Sequence, residues 1–494
     1  MKLVILRALA GVTLAVAFSL LLTAGIAWYY GEPLLPFLPL GLALALFDIG
    51  VLTFSSGQEK LNLSVIDSYS VVTLSWVVAC VVGAIPFVLS DQSLGIANAI
   101  FESTSGFTTT GSTIFGDVEI LPRSILFWRS LTHWLGGMGI VVLAVGILHS
   151  MGIGGLFLMQ AEAPGPQVER MNSRIAATAR LLWVIYFGMT AFQTVLYLFG
   201  GMDLFDAVNH AFATLATGGF STRNASIAAF ESSYIEWVTI AFMVLSGVNF
   251  ALYAHIIRGN VTRVRKDTEV KAFLGMYAVA VGIVFLALQG SYAPSGWSKN
   301  LRDAAFQVAT LLTSTGFATE DYVLWPGVAR GILLLTLFLG ASAGSTSGGI
   351  KVIHAVIGTR TIHREVLRAR HRNAVLAVFV NHERIPEVVI KAALSFVILY
   401  VATVLASTVI VAAAGTSLET ALTASLAAIG NIGPGFDAVG PTQNFGFLPD
   451  WTKLWLSVVM ILGRLELVTV LAFIPFLDPY GAFSRRRSRR KGRP

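Results

Sequence analysis

Charge is scarce in this chain: Asp, Glu, Lys and Arg together make up 12% of 494 residues, too few to cover the surface of a soluble fold of that size. Cysteine is nearly absent. The single Cys80 lies inside an apolar segment with no second thiol to pair with, so it reads as a packing residue and gives no basis for disulfide or redox chemistry. There is no HExxH zinc motif, no Walker A loop, no GxGxxG after a strand and no cysteine-rich metal pattern, and Gly152-Ile153-Gly154-Gly155 reads as a turn at a helix end. No cluster of carboxylates or histidines sits at one membrane face to do chemistry, so the reading is not an enzyme. A signal peptide is the rival reading of the N-terminus. The stretch Leu3 to Tyr30 is long for a signal-peptide core and has no convincing small-residue cleavage site, so it reads as a mature helix.

What is abundant is apolar. Hydrophobic residues reach 55% and mean hydropathy is +0.74. Stretches near the ~20 residues that cross hydrocarbon recur throughout, among them Val4 to Trp28, Leu34 to Phe54, Val65 to Leu89 and Ile125 to Leu148. This is a polytopic membrane protein. The formal charge of +7 could suggest nucleic acid, but the basic residues lie between the spans and argue against it. They gather at Arg170, Arg174 and Arg180, at Arg258 to Lys271, at Arg360 to Arg372, and in a tail from Arg485 to Arg493. The alternate loops carry Asp91, Asp117, Glu119, Asp203, Asp206, Asp321, Asp437 and Asp450. Basic loops stay cytoplasmic, which predicts that both termini are cytoplasmic and the acidic loops face outward.

One pattern repeats four times: apolar span, short amphipathic segment, glycine among small or polar residues, loop, second apolar span. The glycine segments are Thr108 to Thr113, Ala216 to Ser221, Thr313 to Ala318 and Gly430 to Gly435, centred on Gly111, Gly219, Gly316 and Gly433. The segments before them are too short to span and fit half-membrane helices. The expected fold is all-α and polytopic, with four helix–pore-helix–helix repeats around a central pore and two extra N-terminal transmembrane helices. The expected boundaries are 1–60 for the two extra helices, then 61–150, 175–260, 268–360 and 388–480 for the repeats, and 481–494 for a basic cytoplasmic tail.

Backbone that is not helical is tolerated at membrane depth only inside protein or against water, so four such segments should share one wet axis. Glycine can take positive φ and turn carbonyls towards that axis. A ring of carbonyl oxygens can replace the water shell of a cation, the half-helices aim their negative ends at it, and the outer acids raise its local concentration. One Thr-Gly segment alone is an ordinary loop. Four in register are not.

The sequence resembles the TrkH/KtrB superfamily of potassium transporters, and its TrkH branch in particular. The resemblance rests on Trp134 to Ile140, Ala161 to Pro166, Ala216 to Thr222, Gly344 to Lys351, Asn431 to Gly435 and Gly463 to Glu466, and on the two extra N-terminal helices, which KtrB-like subunits generally lack. It implies a potassium-selective, channel-like uptake transporter. Its ion-binding filter would comprise Thr109, Thr110, Gly111, Thr217, Gly218, Gly219, Ser314, Thr315, Gly316, Asn431, Ile432 and Gly433, with potassium as the only metal and no organic cofactor in the chain. Plant relatives with serine at the first glycine tend towards sodium, and this chain keeps Gly111. In the fourth segment Gly430 stands where an asparagine pair is commoner.

Gly340 to Gly349 is too rich in glycine to stay helical in mid-span, and small-residue helix packing explains single glycines rather than this density. The resemblance implies an intramembrane gate here, at Gly344, Ser345, Thr346, Gly348 and Gly349, with Lys351 at its edge. Arg464 is a charge in an apolar span; it reads either as a buried pair, with Glu466 of a neighbouring segment, or as a positive charge on the pore wall below the filter, which the resemblance supports. His133, His210 and Glu102 read as satisfied half-helix or interfacial groups with no chemistry. The resemblance further implies a homodimer in a bacterial inner membrane, controlled by TrkA-like Rossmann subunits that bind nucleotide and dock on the cytoplasmic basic groups. Lipid headgroups are the expected partner of the tail. A sodium- or proton-coupled secondary transporter of a small solute is the alternative; symport coupling is open, and four re-entrant loops rather than two broken spans weigh against that alternative.

Overall fold

The computed structural model describes residues 3–54, 65–90, 94–151, 168–291, 296–371, 374, 376–381, 383–465 and 467. Among these the regular structure is helical apart from one small hairpin and one isolated bridge, so the protein is an all-α polytopic membrane protein. Helices α1 (Leu3–Tyr30) and α2 (Leu38–Phe54) lead the chain and pack on each other. A buried bond from Thr13 Oγ1 to Asp48 Oδ1, 2.9 Å long, joins them.

Four units follow. The first is α3 (Val65–Leu89), α4 (Ile96–Phe107) and α5 (Arg123–Met151). The second is α6 (Val168–Phe199), α7 (Leu204–Leu215), α8 (Ser233–Ser246) and α9 (Phe250–Ile257), with α10 (Val261–Lys266) after it. The third is α11 (Thr268–Ser291), α12 (Trp297–Leu312), α13 (Gly327–Phe338) and α14 (Val352–Arg370). A hairpin of β1 (Phe379–Val380) and β2 (Glu383–Arg384) precedes the fourth unit, α15 (Glu387–Ala412), α16 (Leu418–Gly430) and α17 (Asp450–Arg464). Five described helices are long and apolar enough to cross a membrane, and a sixth span results if α8 and α9 count together.

The second helices α4, α7, α12 and α16 have 12, 12, 16 and 13 residues, about 18–24 Å at 1.5 Å per residue, short of the ~30 Å of hydrocarbon. They carry buried Glu102, His210 and Gln307, polar groups that only surrounding protein can satisfy. The packing order closes a ring. Helix α5 lies on α7, α8 on α12, α13 on α16, and α17 on α4, so each unit leans on the half-helix of the next and the fourth returns to the first.

The second span of the second unit departs from the continuous helix that the sequence suggests. Helices α8 and α9 meet at 94°. The cause is a loop from the third unit, which takes the place of helical bonds: Ser342 N–H donates to Gly247 O at 3.0 Å and Phe250 N–H to Gly344 O at 3.0 Å. Asn249 Oδ1 then caps α9 by accepting from Ala251 N–H at 2.8 Å.

Helix α5 can approach the end of α4 because Gly136 has no side chain: a Cβ there would lie 1.9 Å from Phe107 O. Gly463 meets Ile429 O in the same way at 2.0 Å. Gly136→Ala and Gly463→Ala should therefore each lower the melting temperature of the detergent-purified protein by several degrees, the effect of ~1–3 kcal/mol of overpacking. Gly139→Ala, whose Cβ would stand 3.5 Å from the Trp76 ring, should melt as the parent does. Equal melting of all three variants would refute this close approach.

Candidate ion filter and gate

Each half-helix ends the same way. The N–H groups of Thr110, Gly218, Thr315 and Ile432 reach back to the carbonyls of Ser105, Ala213, Thr310 and Ala427, at 2.8, 2.8, 2.8 and 3.0 Å. This is the closure of a Schellman-type helix end, which needs a left-handed residue one position earlier. The residues in that position are Thr109, Thr217, Ser314 and Asn431, with φ of 53°, 53°, 55° and 50°. Threonine is a poor choice for left-handed backbone, and holding it there costs about 1–3 kcal/mol per residue. Two residues on, Gly111, Gly219, Gly316 and Gly433 are left-handed again, at 84°, 78°, 85° and 101°. Left-handed residues in alternation turn successive carbonyls to one side instead of to opposite sides as in a strand.

The four segments interlock. A Cβ on Gly111 would lie 2.0 Å from Gly218 O, one on Gly219 2.1 Å from Thr315 O, and one on Gly316 2.2 Å from Ile432 O. On Gly433 it would lie 2.9 Å from Thr110 O, which returns to the first segment. The carbonyl before each filter glycine thus fills the space that a side chain on the preceding unit's glycine would need. All four glycines named from sequence therefore line one cavity, and the carbonyls of Thr110, Gly218, Thr315 and Ile432 meet them at the interlock.

The loop acids are not among the residues lining this cavity. The charged residues lining the cavity are Arg129 and Arg223. The carboxylates are engaged in ordering loops: Asp206 pairs with Arg223 at 2.7 Å, the Asn224 amide beside Asp117 holds its carboxyl below the ordinary range, and the Ser417 and Thr420 hydroxyls do the same for Asp437. These carboxylates accept mainly from side chains, and Asp117 also from Glu119 N–H, which ties the loops together.

Polar groups behind the filter hold the strained backbone. Nine residues before the first three filter glycines stand Glu102, His210 and Gln307, and each reaches the chain just beyond its own glycine. Glu102 accepts from Thr113 Oγ1 and Ile114 N–H, both at 3.0 Å. His210 Nε2 meets Ser221 Oγ at 2.9 Å. Gln307 bonds Thr319 Oγ1 at 3.2 Å, and with its amide turned to suit its neighbours its oxygen accepts from Thr319 and Glu320 N–H. In the fourth unit Thr423 Oγ1 accepts from Phe436 N–H at 3.0 Å. Arg129, which the sequence reading does not name, pairs with Glu102 at 2.9 Å with both side chains buried, donates to Ser221 O at 3.2 Å and lies 4.1 Å over the Phe220 ring. His133 Nε2 accepts from Phe220 N–H at 3.2 Å while Nδ1 bonds Gly106 O at 2.9 Å, an arrangement that requires a neutral ring protonated at Nδ1. These groups are satisfied, and what they satisfy is the filter. A polar residue nine positions before the first three filter glycines, and a charge within an apolar helix, were the legible signals.

Below the filter, α13 stops at Phe338 and α14 begins at Val352, with an extended loop between them. It touches the filter directly: Gly348 N–H donates to Ser314 Oγ at 2.7 Å, and a Cβ on Gly348 would lie 2.0 Å from Gly430 O. Lys351 Nζ donates to Ser347 O and, at 3.3 Å, to Gly348 O. Glu269, at the start of α11, accepts from Ala343 N–H at 2.7 Å and from Ile353 N–H at 3.2 Å, so one carboxylate ties both limbs of the loop. Arg464 is buried and donates to Thr346 O at 2.6 Å and Gly136 O at 3.3 Å, which links the loop to α17 and α5. Its observed partners are carbonyls; Glu466 lies outside the described residues, as do the stretch Ala161 to Pro166, Arg372 and the tail from Arg485 to Arg493.

A family model described as TrkH, cation transport protein, matches residues 41–486. The Trk system potassium uptake protein TrkH of Escherichia coli K12 is 38% identical over 424 residues, 85% of this chain and 87% of that one. TrkG of the same organism, also a Trk system potassium uptake protein, is 34% identical over 432 residues, 85% and 86% of the two chains. The crystal structure of the potassium transporter TrkH from Vibrio parahaemolyticus superposes with a TM-score of 0.87 at 33% identity, over 96% of this chain and 99% of that one.

Removing the Glu102 charge leaves Arg129 buried without its carboxylate. Glu102→Gln should cost about 3–5 kcal/mol, read as an early thermal transition in detergent. A variant that melts with the parent would show that this pair does not hold the filter's back wall.

Proposed function

The chain belongs to the TrkH family of cation transport proteins and is the pore subunit of a potassium uptake transporter, and on that premise we propose how it selects and gates the ion. Potassium, as the transported substrate, sheds its water into the oxygens of Thr109 to Gly111, Thr217 to Gly219, Ser314 to Gly316 and Asn431 to Gly433. The observation that carries this reading is the cyclic interlock, in which four glycines from four units line one cavity and each seats the next unit's carbonyl. The strained threonines and the polar braces behind them fix those oxygens before an ion arrives, so little reorganisation is needed when it binds. The loop from Gly340 to Gly349 is the gate: it lies against Ser314 and Gly430, and Arg464 holds it from α17 with a positive charge that an approaching cation must pass.

The Trk-system names of its relatives imply that this chain works with other components of such a system. We assign the cytoplasmic basic groups, Arg258 to Lys271 and Arg360 to Arg370, to docking a TrkA-like nucleotide-binding ring, with two copies of the chain per assembly. The protein is a multi-pass membrane protein; the bacterial inner membrane with both termini cytoplasmic is the orientation that its charge pattern supports.

Purified protein in liposomes should pass potassium well ahead of sodium. Gly111→Ala, Gly219→Ala and Gly316→Ala should reduce the potassium-to-sodium flux ratio by about tenfold or more, equivalent to 1.4 kcal/mol of lost discrimination. Gly433→Ala, with the most room, should reduce it least. Ratios unchanged across the series would remove these glycines from the filter.

For the gate, deletion of Gly344 to Gly349 and the substitution Arg464→Gln should each raise basal potassium flux several-fold, since both free the loop from beneath the filter. A folded variant with lower flux would make the loop a structural element instead.

A further inference from the structure

The four joints of the ring are not equal. At three of them the glycine seats the next carbonyl within 2.0–2.2 Å of its missing Cβ, but at the joint between the fourth and first units the gap opens to 2.9 Å. Packing is therefore tightest on three sides of the ring and least tight on the fourth. At that joint, side chains of the filter segments themselves make the connection. Ser112 Oγ donates to Gly433 O at 2.8 Å, and Asn431 Nδ2 donates to Thr110 Oγ1 at 3.0 Å. Asn431 Nδ2 is also anchored on Met460 O at 3.0 Å, so the tie is fixed to α17. At the other joints the polar connections come from outside the segments, as with His133 and Tyr322.

The sequence shows why the device occurs once. The residue after each filter glycine is Ser112, Phe220, Phe317 and Pro434, so a hydroxyl is present only in the first segment. The left-handed position holds Thr109, Thr217, Ser314 and Asn431, so a carboxamide long enough to cross the gap is present only in the fourth. Each of the two unusual residues bonds the other's segment across the least tight joint. Both are buried, where a hydrogen bond is not diluted by competing water. Gly433 O, held by the Ser112 hydroxyl, is a filter carbonyl, so the tie acts on an ion-facing oxygen's position and not only on the scaffold.

We propose that Ser112 and Asn431 form a two-point clasp that closes the fourth unit onto the first and sets the width of the filter, making them positioning residues for potassium over sodium. The inference rests on the filter reading above. Without the clasp the loose joint opens or shuts with the size of the ion, and a ring that adapts to its guest loses discrimination.

The test is the initial flux of potassium and sodium into liposomes holding the full-length protein, with elution and melting temperature of each variant recorded. Ser112→Ala and Asn431→Asp, which removes the donor while keeping a residue that tolerates left-handed backbone, should each lower the potassium-to-sodium ratio by about 2- to 10-fold, the net worth of one hydrogen bond. Because both ties brace one joint, the double variant should fall short of the product of the single effects. If one variant fails to fold, the other carries the test. Parental ratios in every folded clasp variant, or fully multiplicative effects, overturn the clasp. Gly219→Ala, at the opposite joint, judges the filter separately. A relaxed ratio there beside parental ratios in the clasp variants sinks the clasp alone, whereas a parental ratio at Gly219 as well sinks the filter.

Discussion

The rest of the structure depends on the space that a missing Cβ leaves. At Gly111, Gly219 and Gly316 that space is filled by a carbonyl oxygen of the next unit, 2.0–2.2 Å from where the carbon would be. No other residue type permits that approach, and no single unit could use it alone, since each glycine seats its neighbour's oxygen. The ring exists only when four units close. Helix packing enforces the closure from outside, with the second span of every unit against the half-helix of the next, and the close approaches at Gly136 and Gly463 draw two of those spans up to the half-helix ends.

Such a ring stores strain. Thr109, Thr217 and Ser314 hold left-handed backbone that their side chains disfavour, and something must over-determine the geometry. The braces do so by different chemistry in each unit: a carboxylate with its arginine, an imidazole, an amide, a threonine hydroxyl. Their common feature is position. Each stands nine or ten residues before its glycine, and on a half-helix that distance brings the side chain to the level of the chain returning past the filter. Divergent residues thereby perform one mechanical task under a fourfold backbone.

The loop next to the four glycine segments is continuous with them in hydrogen bonding, from Gly348 to Ser314, and continuous with the starts of α11 and α14 through Glu269 and Lys351. The bend between α8 and α9 belongs to the same arrangement, because the loop replaces the helical partners of Gly247 and Phe250. A backbone segment at membrane depth must find partners somewhere, and here two interrupted spans satisfy each other. Any movement of the loop therefore exchanges bonds with α8, α9, α11 and α17 together, which favours two discrete positions over a gradual slide.

The sequence by itself determined the class of the protein and the location of its non-helical segments. Hydropathy gave the membrane, four recurrent glycines gave the ends of the half-helices, and the glycine density after Leu339 gave the broken span, because each is a local property written into consecutive residues. The tertiary structure alone decided what those residues touch. That Ser112 reaches Gly433 and Asn431 reaches Thr110, that Arg129 reaches Ser221 of another unit, and that Arg464 grips carbonyls of Thr346 and Gly136 are contacts between residues separated by 92 to 328 positions. Periodicity reports which face of a helix is buried; it holds no information on which distant segment covers that face. The bend at Gly247 was hidden for the same reason, since the loop that replaces its helical bonds comes from the next unit.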